Sequence, residues 1–334
     1  MKVAILGSRS GWHEARLGRA LSERGAEPVV APVTGLAASV GAGARLTAAG
    51  LPLDDCGAVV VRAIPSGSLE QVIFRIDALH RLARLGVPVI NSPRCVERSV
   101  DKYFTSTLLE DAGIPTPRTR VCERVDDALT AFDALGGDVV IKPLFGSEGR
   151  GIVRVSDPDL AYRTCRALEV TRSVFYLQEF VPHGGRDIRA FVVGGRLMAA
   201  MIRRAAGWKT NVSQGARTEP ITLSPELERL SVRAASLLEA DYAGIDLLST
   251  EGGRVLVIEV NGIPGWRGLQ QTTDIDIAGV IADHAIATVE RGVPVATAPC
   301  GRPPPARGGP RRPGSRRPRR WPVRSRSAPR RSAT

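Results

Sequence analysis

The sequence predicts an α/β protein that begins with a doubly wound parallel sheet and continues with two α+β segments. Three observations carry this prediction. Short apolar runs alternate with helical patterns over residues 1–94, glycine and Asn-Ser-Pro punctuate them, and closely spaced strand patterns follow residue 174. Alternating strands and helices are typical of a parallel sheet, whereas closely spaced strands joined by tight turns indicate an antiparallel one.

Residues 1–94 are predicted to form an N-terminal α/β domain. Glycine closes both of its helical patterns, at Gly25 and Gly86, which is typical of helix C-termini. The predicted elements are strand 2–6, helix 12–24, strands 29–31 and 58–63, helix 69–85 and strand 89–90.

Two further segments, 95–175 and 176–291, are predicted to be α+β. The first should contain a helix through 102–111, strand 118–121, helix 125–135, strand 139–142, a glycine-rich loop, strand 152–155 and helix 157–168. The second should contain strands 174–180, 188–193 and 197–203, helix 225–238, strands 242–248 and 255–260, and helix 275–290. Gly194-Gly195 between two of these strands predicts a hairpin.

The net charge of +12 is misleading because it lies in one segment. Residues 301–334 hold 12 of the 46 basic residues and no acidic residue, so the 34 basic residues before them balance the 34 acidic ones. The stretch 292–334, rich in Pro, Arg, Gly and Ser, is predicted to be disordered and at most weakly attracted to nucleic acid. The basic isoelectric point therefore does not indicate that the folded part binds nucleic acid.

Other counts exclude several classes of protein. No apolar run reaches the roughly 18 residues of a membrane span, so no membrane partner is expected. The five cysteines are odd in number and form no CxxC pair, which indicates a reducing cytoplasm rather than a disulfide framework or a zinc site. The four histidines follow no metal-binding spacing, and no Gly-x-Ser-x-Gly occurs, so a zinc enzyme and a triad hydrolase are unsupported.

Lysine is scarce in this chain, which has 42 Arg but only Lys2, Lys102, Lys142 and Lys209. Because Arg replaces Lys wherever a planar guanidinium is tolerated, the retained lysines are candidates for sites that need a compact ammonium. Chance survival remains the alternative for any one of them.

A glycine-rich loop follows the predicted strand 139–142. The strand delivers Lys142, and Gly146, Gly149 and Gly151 come after it. Glycines let backbone N–H groups approach phosphate oxygens, and the lysine adds a positive charge. The spacing fits neither a Walker A loop nor a dinucleotide fingerprint. A phosphate-binding loop and an ordinary hairpin turn both remain open.

Three oxygen-bearing side chains occupy two neighbouring strand patterns. Glu259 and Asn261 are two residues apart and therefore share one face of a strand. A short turn would fold the preceding strand against it and bring Asp246 beside Glu259. Buried carboxylates are costly without a cation, and Mg²⁺ prefers such oxygen ligands. The sequence therefore predicts a magnesium site, with sheet-surface acids as the alternative.

Further polar residues precede this pair of strands. Arg189 and Arg203 could face an anionic centre, and Asp187 could accept hydrogen bonds from a ribose. The loop residues Lys209 and Asn211 could contact phosphate. Surface ion pairs and an ordinary solvated loop are the respective alternatives.

These motifs together resemble the ATP-grasp superfamily and, within it, the RimK-type α-L-glutamate ligases. The resemblance covers about residues 1–290. It is carried by Ser-Val-Asp-Lys at 99–102, Val-Ile-Lys-Pro at 140–143, Gln-Glu-Phe-Val at 178–181, Asp-Ile-Arg-Ala-Phe-Val-Val-Gly at 187–194, Ala-Gly-Ile-Asp at 243–246, Glu-Val-Asn at 259–261 and Thr-Thr-Asp-Ile-Asp-Ile-Ala at 272–278.

The resemblance implies an ATP-grasp fold that clamps ATP between two α+β subdomains. It implies that ATP is bound by Lys102, Lys142, Gly146, Gly149, Gln178, Glu179, Phe180, Val181, Asp187, Lys209 and Asn211. Asp246, Glu259 and Asn261 would hold Mg²⁺, with Mn²⁺ as a possible substitute, and Arg189 and Arg203 would be catalytic. Such enzymes convert a carboxylate into an acyl phosphate, which an amine then displaces to form an amide.

The segment after Asn261 departs from enzymes that modify ribosomal protein tails. Those continue with a small residue, Ser-Pro-Gly and an acidic stretch, whereas this chain has Gly-Ile-Pro-Gly-Trp-Arg-Gly-Leu-Gln at 262–270. The pattern looks closer to the tetrahydromethanopterin glutamate ligases. Arg267 would then favour a carboxylate-bearing acceptor, and Trp266 would stack on a flat ring or simply pack.

We therefore expect a cytoplasmic, homo-oligomeric enzyme that adds L-glutamate to a small cofactor such as tetrahydromethanopterin. Two alternatives stay open at this point. One is the same reaction on the C-terminus of a ribosomal or other protein, and the other is an RNA-associated binding protein that uses the basic tail.

Overall fold

A four-stranded parallel sheet opens the chain in this computed structural model, which describes residues 1–41, 45–146, 149–250 and 252–292. The elements of this part are β1 (Lys2–Leu6), α1 (Trp12–Glu23), β2 (Glu27–Ala31), β3 (Leu36–Ser39), β4 (Arg45–Ala48), β5 (Leu51–Pro52), β6 (Ala58–Val61), α2 (Leu69–Arg84), β7 (Val89–Ile90) and α3 (Pro93–Val100). The strand order of the parallel sheet is β2-β1-β6-β7.

This first sheet is doubly wound, as predicted. Alternate residues of a strand point to opposite faces, so one strand can feed two cores. Val3 and Ile5 of β1 lie in a core with α1 and α9 (Ile277–Glu290), whereas Leu6 packs in a second core with α2. A small antiparallel sheet of β3, β4 and β5 was not predicted from the sequence.

The second part of the chain forms a four-stranded antiparallel sheet. Its elements are α4 (Lys102–Asp111), β8 (Thr119–Cys122), α5 (Val125–Ala134), β9 (Val139–Lys142), β10 (Val153–Val155), α6 (Pro158–Val170) and β11 (Phe175–Glu179). The strand order is β10-β9-β11-β8. A single helix through residue 102 was expected here, but Asp101 separates α3 from α4 because its carboxylate accepts the backbone N–H of Phe104 as an N-cap.

The third part forms a five-stranded antiparallel sheet. Its elements are β12 (Arg186–Val193), β13 (Arg196–Arg204), β14 (Arg217–Pro220), α7 (Pro225–Leu237), β15 (Tyr242–Ser249), β16 (Val255–Asn261), α8 (Arg267–Gln270) and α9, already given. The strand order is β14-β13-β12-β15-β16, and the short strand β14 was not predicted. One face of the sheet packs against α7 in an apolar core.

The expected disordered tail falls, apart from Gly292, outside the described residues. Within the described ranges, no helix combines the length and the apolar character needed to cross a bilayer.

The predicted hairpin between β12 and β13 is present, and its two turn glycines have left-handed backbones with φ of 56° at Gly194 and 75° at Gly195. Gly195→Ala is expected to lower the free energy of unfolding by about 1–2 kcal/mol, because a Cβ disfavours this conformation. Gly194→Ala should cost more, because its Cβ would also lie 2.9 Å from Nδ1 of His284. Denaturant titration of both variants checks this order, and equal or absent losses would contradict it.

Candidate active site

A cleft between the second and third sheets gathers most of the predicted site residues. Its polar lining is Lys142, Gln178, Glu179, His183, Asp187, Arg203, Trp208, Lys209, Thr210, Asn211, Asp246 and Glu259. Apolar side chains, among them Val140, Leu248 and Ile258, complete the walls. Charged groups and an apolar slot in one concave surface suit a ligand with an aromatic base and an anionic group.

Lys142 ends strand β9 and extends into this cleft. Its Nζ donates a hydrogen bond to Oε1 of Gln178 at 2.6 Å, and Gln178 lies on the neighbouring strand β11. Burial lowers the pKa of Lys142 to about 8, against the opposing attraction of Glu259 and Asp246. The lysine therefore carries its charge close to the carboxylates, as the predicted phosphate contact requires.

The glycine-rich loop lies next to two further lysines, Lys102 and the cleft residue Lys209. Nζ of Lys102 donates to the carbonyl oxygen of Gly146 at 2.7 Å, and Nζ of Lys209 donates to that of Ile152 at 2.8 Å. Gly149 has φ of 71°, and a Cβ there would lie 2.5 Å from Oδ1 of Asn211. Glycine is therefore required at 149 both by conformation and by the close approach of Asn211.

The three predicted metal ligands come together as the strand spacing suggested. Strands β15 and β16 are antiparallel neighbours, with Asp246 opposite Glu259 and Gly244 opposite Asn261. Glu259 makes no hydrogen bond or ion pair with a described residue, and the side-chain amide of Asn261 donates to the carbonyl oxygen of Gly244 at 3.3 Å. That bond leaves the amide oxygen of Asn261 available as a ligand.

The register of the third sheet also sets a chain of buried ion pairs. Asp187 lies opposite Arg203, and Arg189 lies opposite Asp246. Arg203 donates to Asp187 through Nε at 2.7 Å and reaches Asp246 through Nη2 at 3.0 Å, while Arg189 makes a two-bond pair with Asp246. These four side chains are at most 11% exposed, so the alternative of surface ion pairs is wrong.

Burial and pairing shift the two carboxylates in opposite directions. Burial raises the pKa of Asp187 above its usual range, although Arg203 opposes the rise. Burial acts likewise on Asp246, but the two arginines outweigh it and hold the pKa of Asp246 below its ordinary value. Asp246 is therefore an anion at neutral pH, as a cation ligand must be.

The donor set fits a hard divalent cation. It comprises an ionised aspartate, a glutamate without a described partner and an amide oxygen, all from adjacent strands. Among the described residues no three His, Cys, Asp or Glu side chains cluster in a way that could hold a metal, and the third predicted ligand is an amide. Oxygen-only sites with few protein ligands are typical of Mg²⁺ bound together with phosphates.

Two carboxylates that were predicted to contact the nucleotide already accept hydrogen bonds from other side chains of the protein. The oxygens of Asp187 accept from Arg203 and from the hydroxyl of Thr210 at 2.7 Å, so a ribose would have to share this carboxylate. The carboxylate of Glu179 accepts from Nε of Arg118 at 2.6 Å. The segment 178–181, in which β11 ends at Glu179, therefore has mainly its backbone and the Phe180 ring to offer the predicted nucleotide.

The polar lining of the cleft also includes His183, Trp208 and Thr210, which are not among the predicted site residues; the last two flank Lys209. Trp208 meets Phe180 edge-on with ring centroids 6.2 Å apart, and Nζ of Lys209 lies 5.2 Å from the Trp208 ring. Thr210 anchors Asp187. Their position beside Lys209, in a loop already proposed to face phosphate, was the available signal.

The two predicted acceptor residues differ in exposure. Arg267 is exposed, and its guanidinium carbon lies 5.8 Å from the centre of the Trp12 ring. Trp266 is fully buried, packing against His13 with ring centroids 4.6 Å apart, so of the two alternatives the indole packs. In this structure it offers no face to a flat substrate ring.

Comparison with known proteins adds the deciding observation. The model of the RimK-like ATP-grasp domain matches residues 99–285. The chain belongs to the RimK-like ATP-grasp family. It is therefore an ATP-dependent ligase that forms carbon–nitrogen bonds, and ATP with Mg²⁺ is the cofactor set typical of the family.

Two relatives of this RimK-like ligase carry the name tetrahydromethanopterin:alpha-L-glutamate ligase. The protein of Methanosarcina acetivorans is 35% identical over 263 residues, which cover 70% of this chain and 80% of the relative. That of Methanococcus maripaludis is 33% identical over 291 residues, covering 86% and 98%. The fold is also that of the ATP-grasp ligase PsnB complexed with minimal precursor, Mg and ADP (24% identity, TM-score 0.66, 86% of this chain and 98% of that one).

Metal-free ADP is expected to bind this RimK-like ligase more weakly as the pH rises through about 8, because Lys142 then loses the charge that attracts phosphate. Lys142→Arg keeps its charge up to about pH 12 and should remove this dependence. Calorimetric titration with ADP in a chelating buffer measures the affinity at each pH. An affinity that stays constant in the wild type, or falls equally in Lys142→Arg, would contradict the assignment.

Proposed function

We propose that this ligase joins L-glutamate to a carboxylate of a small cofactor of the tetrahydromethanopterin type. The observation that carries the proposal is the cleft in which Lys142 lies close to Asp246 and Glu259, beside an apolar slot. Support for the acceptor comes from the two named relatives and from Arg267, an exposed cation at the start of α8, the first helix after the strand that ends at Asn261. Glutamate as the amino acid rests on the same relatives.

The proposed reaction has two steps. The acceptor carboxylate attacks the γ-phosphorus of ATP, so that the bond to ADP breaks and an acyl phosphate forms. The amine of glutamate then attacks the acyl carbon, phosphate leaves, and the nitrogen loses a proton to give the amide. Phosphoryl transfer of this kind needs positioning and charge neutralisation more than a protein nucleophile.

Each group of cleft residues has a role in this scheme. Lys102, Lys142 and the loop at Gly146 and Gly149 would bind phosphate oxygens, and the 178–181 strand with Asp187, Lys209 and Asn211 would hold the base and ribose. Asp246, Glu259 and Asn261 would hold Mg²⁺, or Mn²⁺ in its place. The bound cation neutralises phosphate charge and so lowers the barrier to attack.

Arg189 and Arg203 have a double role in the proposal. Both are held by carboxylates in this structure, so their first effect is to keep Asp246 ionised and fixed. Arg203 also lines the cleft, where it would stabilise the transferred phosphate or the tetrahedral oxyanion. Arg189 would act mainly through Asp246.

A ribosomal protein tail as acceptor and an RNA-binding role for residues 292–334 find no support in the relatives. Self-association and a cytoplasmic location stay predictions.

Phosphate release with ATP, Mg²⁺, each amino acid and a panel of carboxylate acceptors, followed by mass analysis of the product, tests the acceptor and the added residue directly.

Glu259→Gln is expected to lower the rate of ADP formation by about 10²–10³-fold, because it removes the carboxylate of the proposed cation site that makes no hydrogen bond or ion pair with a described residue. Glu219→Gln is the matched control: this acid lies on the same sheet but pairs with Arg204 at a half-exposed position. Metal-free ADP should bind both variants like the wild type. Comparable turnover in Glu259→Gln and the control would remove the proposed role.

Deletion of residues 292–334 should leave amino-acid-dependent ADP formation unchanged, because every proposed site residue precedes residue 268. The measurement compares steady-state rates of the full and shortened chains under one set of substrate concentrations. A large loss of rate would show that the basic tail takes part in the reaction.

A further inference from the structure

Two buried side chains directly follow strands of the first sheet and contact the ends of the strands that carry the proposed cation ligands. Arg62 comes directly after β6 and Asn91 directly after β7, both at the carboxyl end of the parallel sheet. Arg62 is 7% exposed and Asn91 is completely buried. Neither residue lines the cleft, and neither has a role in the scheme above.

Asn91 joins the two strands that carry the cation ligands. Its Oδ1 accepts the backbone N–H groups of Asp241 at 2.6 Å and Tyr242 at 3.0 Å. Its Nδ2 donates to the carbonyl oxygen of Tyr242 at 2.7 Å and to that of Gly262. One side chain thus fastens the first residue of β15 and the residue that follows Asn261.

Arg62 contacts the side chain of the same first residue of β15 and the loop that follows β16. Its Nη1 donates to the hydroxyl of Tyr242 at 3.0 Å, and its Nη2 donates to the carbonyl oxygen of Pro264 at 2.9 Å. Trp266 covers the guanidinium, whose carbon lies 4.4 Å from the ring centre. Arg62 pairs with no carboxylate among the described residues, so the cost of burying its charge is offset by these dipoles and rings rather than by an ion pair.

We propose that Asn91 and Arg62 are positioning residues that fix β15 and β16 relative to each other at the cation site. The inference rests on the proposed function, because it assumes that Asp246, Glu259 and Asn261 bind the cation. Gly262 directly follows ligand Asn261, and Tyr242 precedes ligand Asp246 by four residues, so a displaced strand end moves a ligand. Hydrogen bonds that orient ligands from outside the ligand shell are commonly worth about 10–100-fold in metal affinity.

Arg75 provides a matched control for Arg62. It is equally buried, at 6% exposure, and it lies in the same first part of the chain. Its Nη1 donates to the carbonyl oxygen of Pro65 at 2.6 Å, and no bond of Arg75 reaches β15, β16 or the loop after them. Arg75→Met therefore removes a buried arginine without touching the strand ends.

The experiment measures Mn²⁺ binding to the full-length protein saturated with ADP, by electron paramagnetic resonance. Arg62→Met and Asn91→Ala are each expected to weaken Mn²⁺ binding about tenfold or more, whereas Arg75→Met should change it less than about twofold. Calorimetry with ADP in a chelator should show similar nucleotide affinity in all four proteins. This second readout separates a displaced cation site from general loss of structure.

Three outcomes overturn the proposal. These are unchanged Mn²⁺ binding in folded Arg62→Met and Asn91→Ala, equal weakening in Arg75→Met, or loss of ADP binding together with Mn²⁺ binding. If either variant fails to fold, Tyr242→Phe removes the hydroxyl that accepts from Arg62 and donates to the carbonyl oxygen of Val61, and Mn²⁺ binding like the wild type again overturns the proposal. Absence of Mn²⁺ binding in the wild type itself would instead refute the cation site of the proposed function.

Discussion

The structure depends on the compensation of charges buried on one face of the third sheet. Asp187, Arg203, Asp246 and Arg189 form a neutral chain in which each guanidinium meets a carboxylate directly across a strand pair. Removing one partner of such a chain leaves an uncompensated buried charge, which costs several kcal/mol. Because Asp246 is also the proposed cation ligand, the same pairs that stabilise the sheet keep the ligand ionised and in place.

Sequence reasoning recovered what depends on local periodicity. The period-2 spacing of Glu259 and Asn261, and the turn before them, correctly placed Asp246 opposite Glu259. The alternation of strands and helices correctly predicted the doubly wound first sheet. Scarcity was equally informative: three of the four lysines, retained in an arginine-rich chain, surround the cleft or its glycine loop.

What the sequence did not reveal depends on long-range contact. Nothing local distinguishes a surface ion pair from the buried pair of Asp187 and Arg203, because the difference is made by register and by the opposite sheet. The sequence alone did not decide whether Trp266 stacks on a substrate ring or packs in the core, because His13 and Arg62, which cover the indole, are far from it in the chain. Burial, with help from Arg62 and Arg267, lowers the pKa of His13 to about 4, and the neutral ring accepts the backbone N–H of Trp266 at 3.0 Å. For the positioning role proposed for Asn91, the sequence offered only the rarity of asparagine, which occurs three times in the chain.

The distribution of primary amines has a practical consequence. Apart from the chain terminus, Lys2 is the one ammonium of the chain away from the nucleotide cleft and its glycine loop, since Lys102, Lys142 and Lys209 all serve that region. Acylating dyes, crosslinkers or surface-coupling reagents aimed at amines would therefore also modify the proposed nucleotide site. An added tag provides a labelling position away from this region, and protection by nucleotide against an amine reagent becomes a simple test of occupancy.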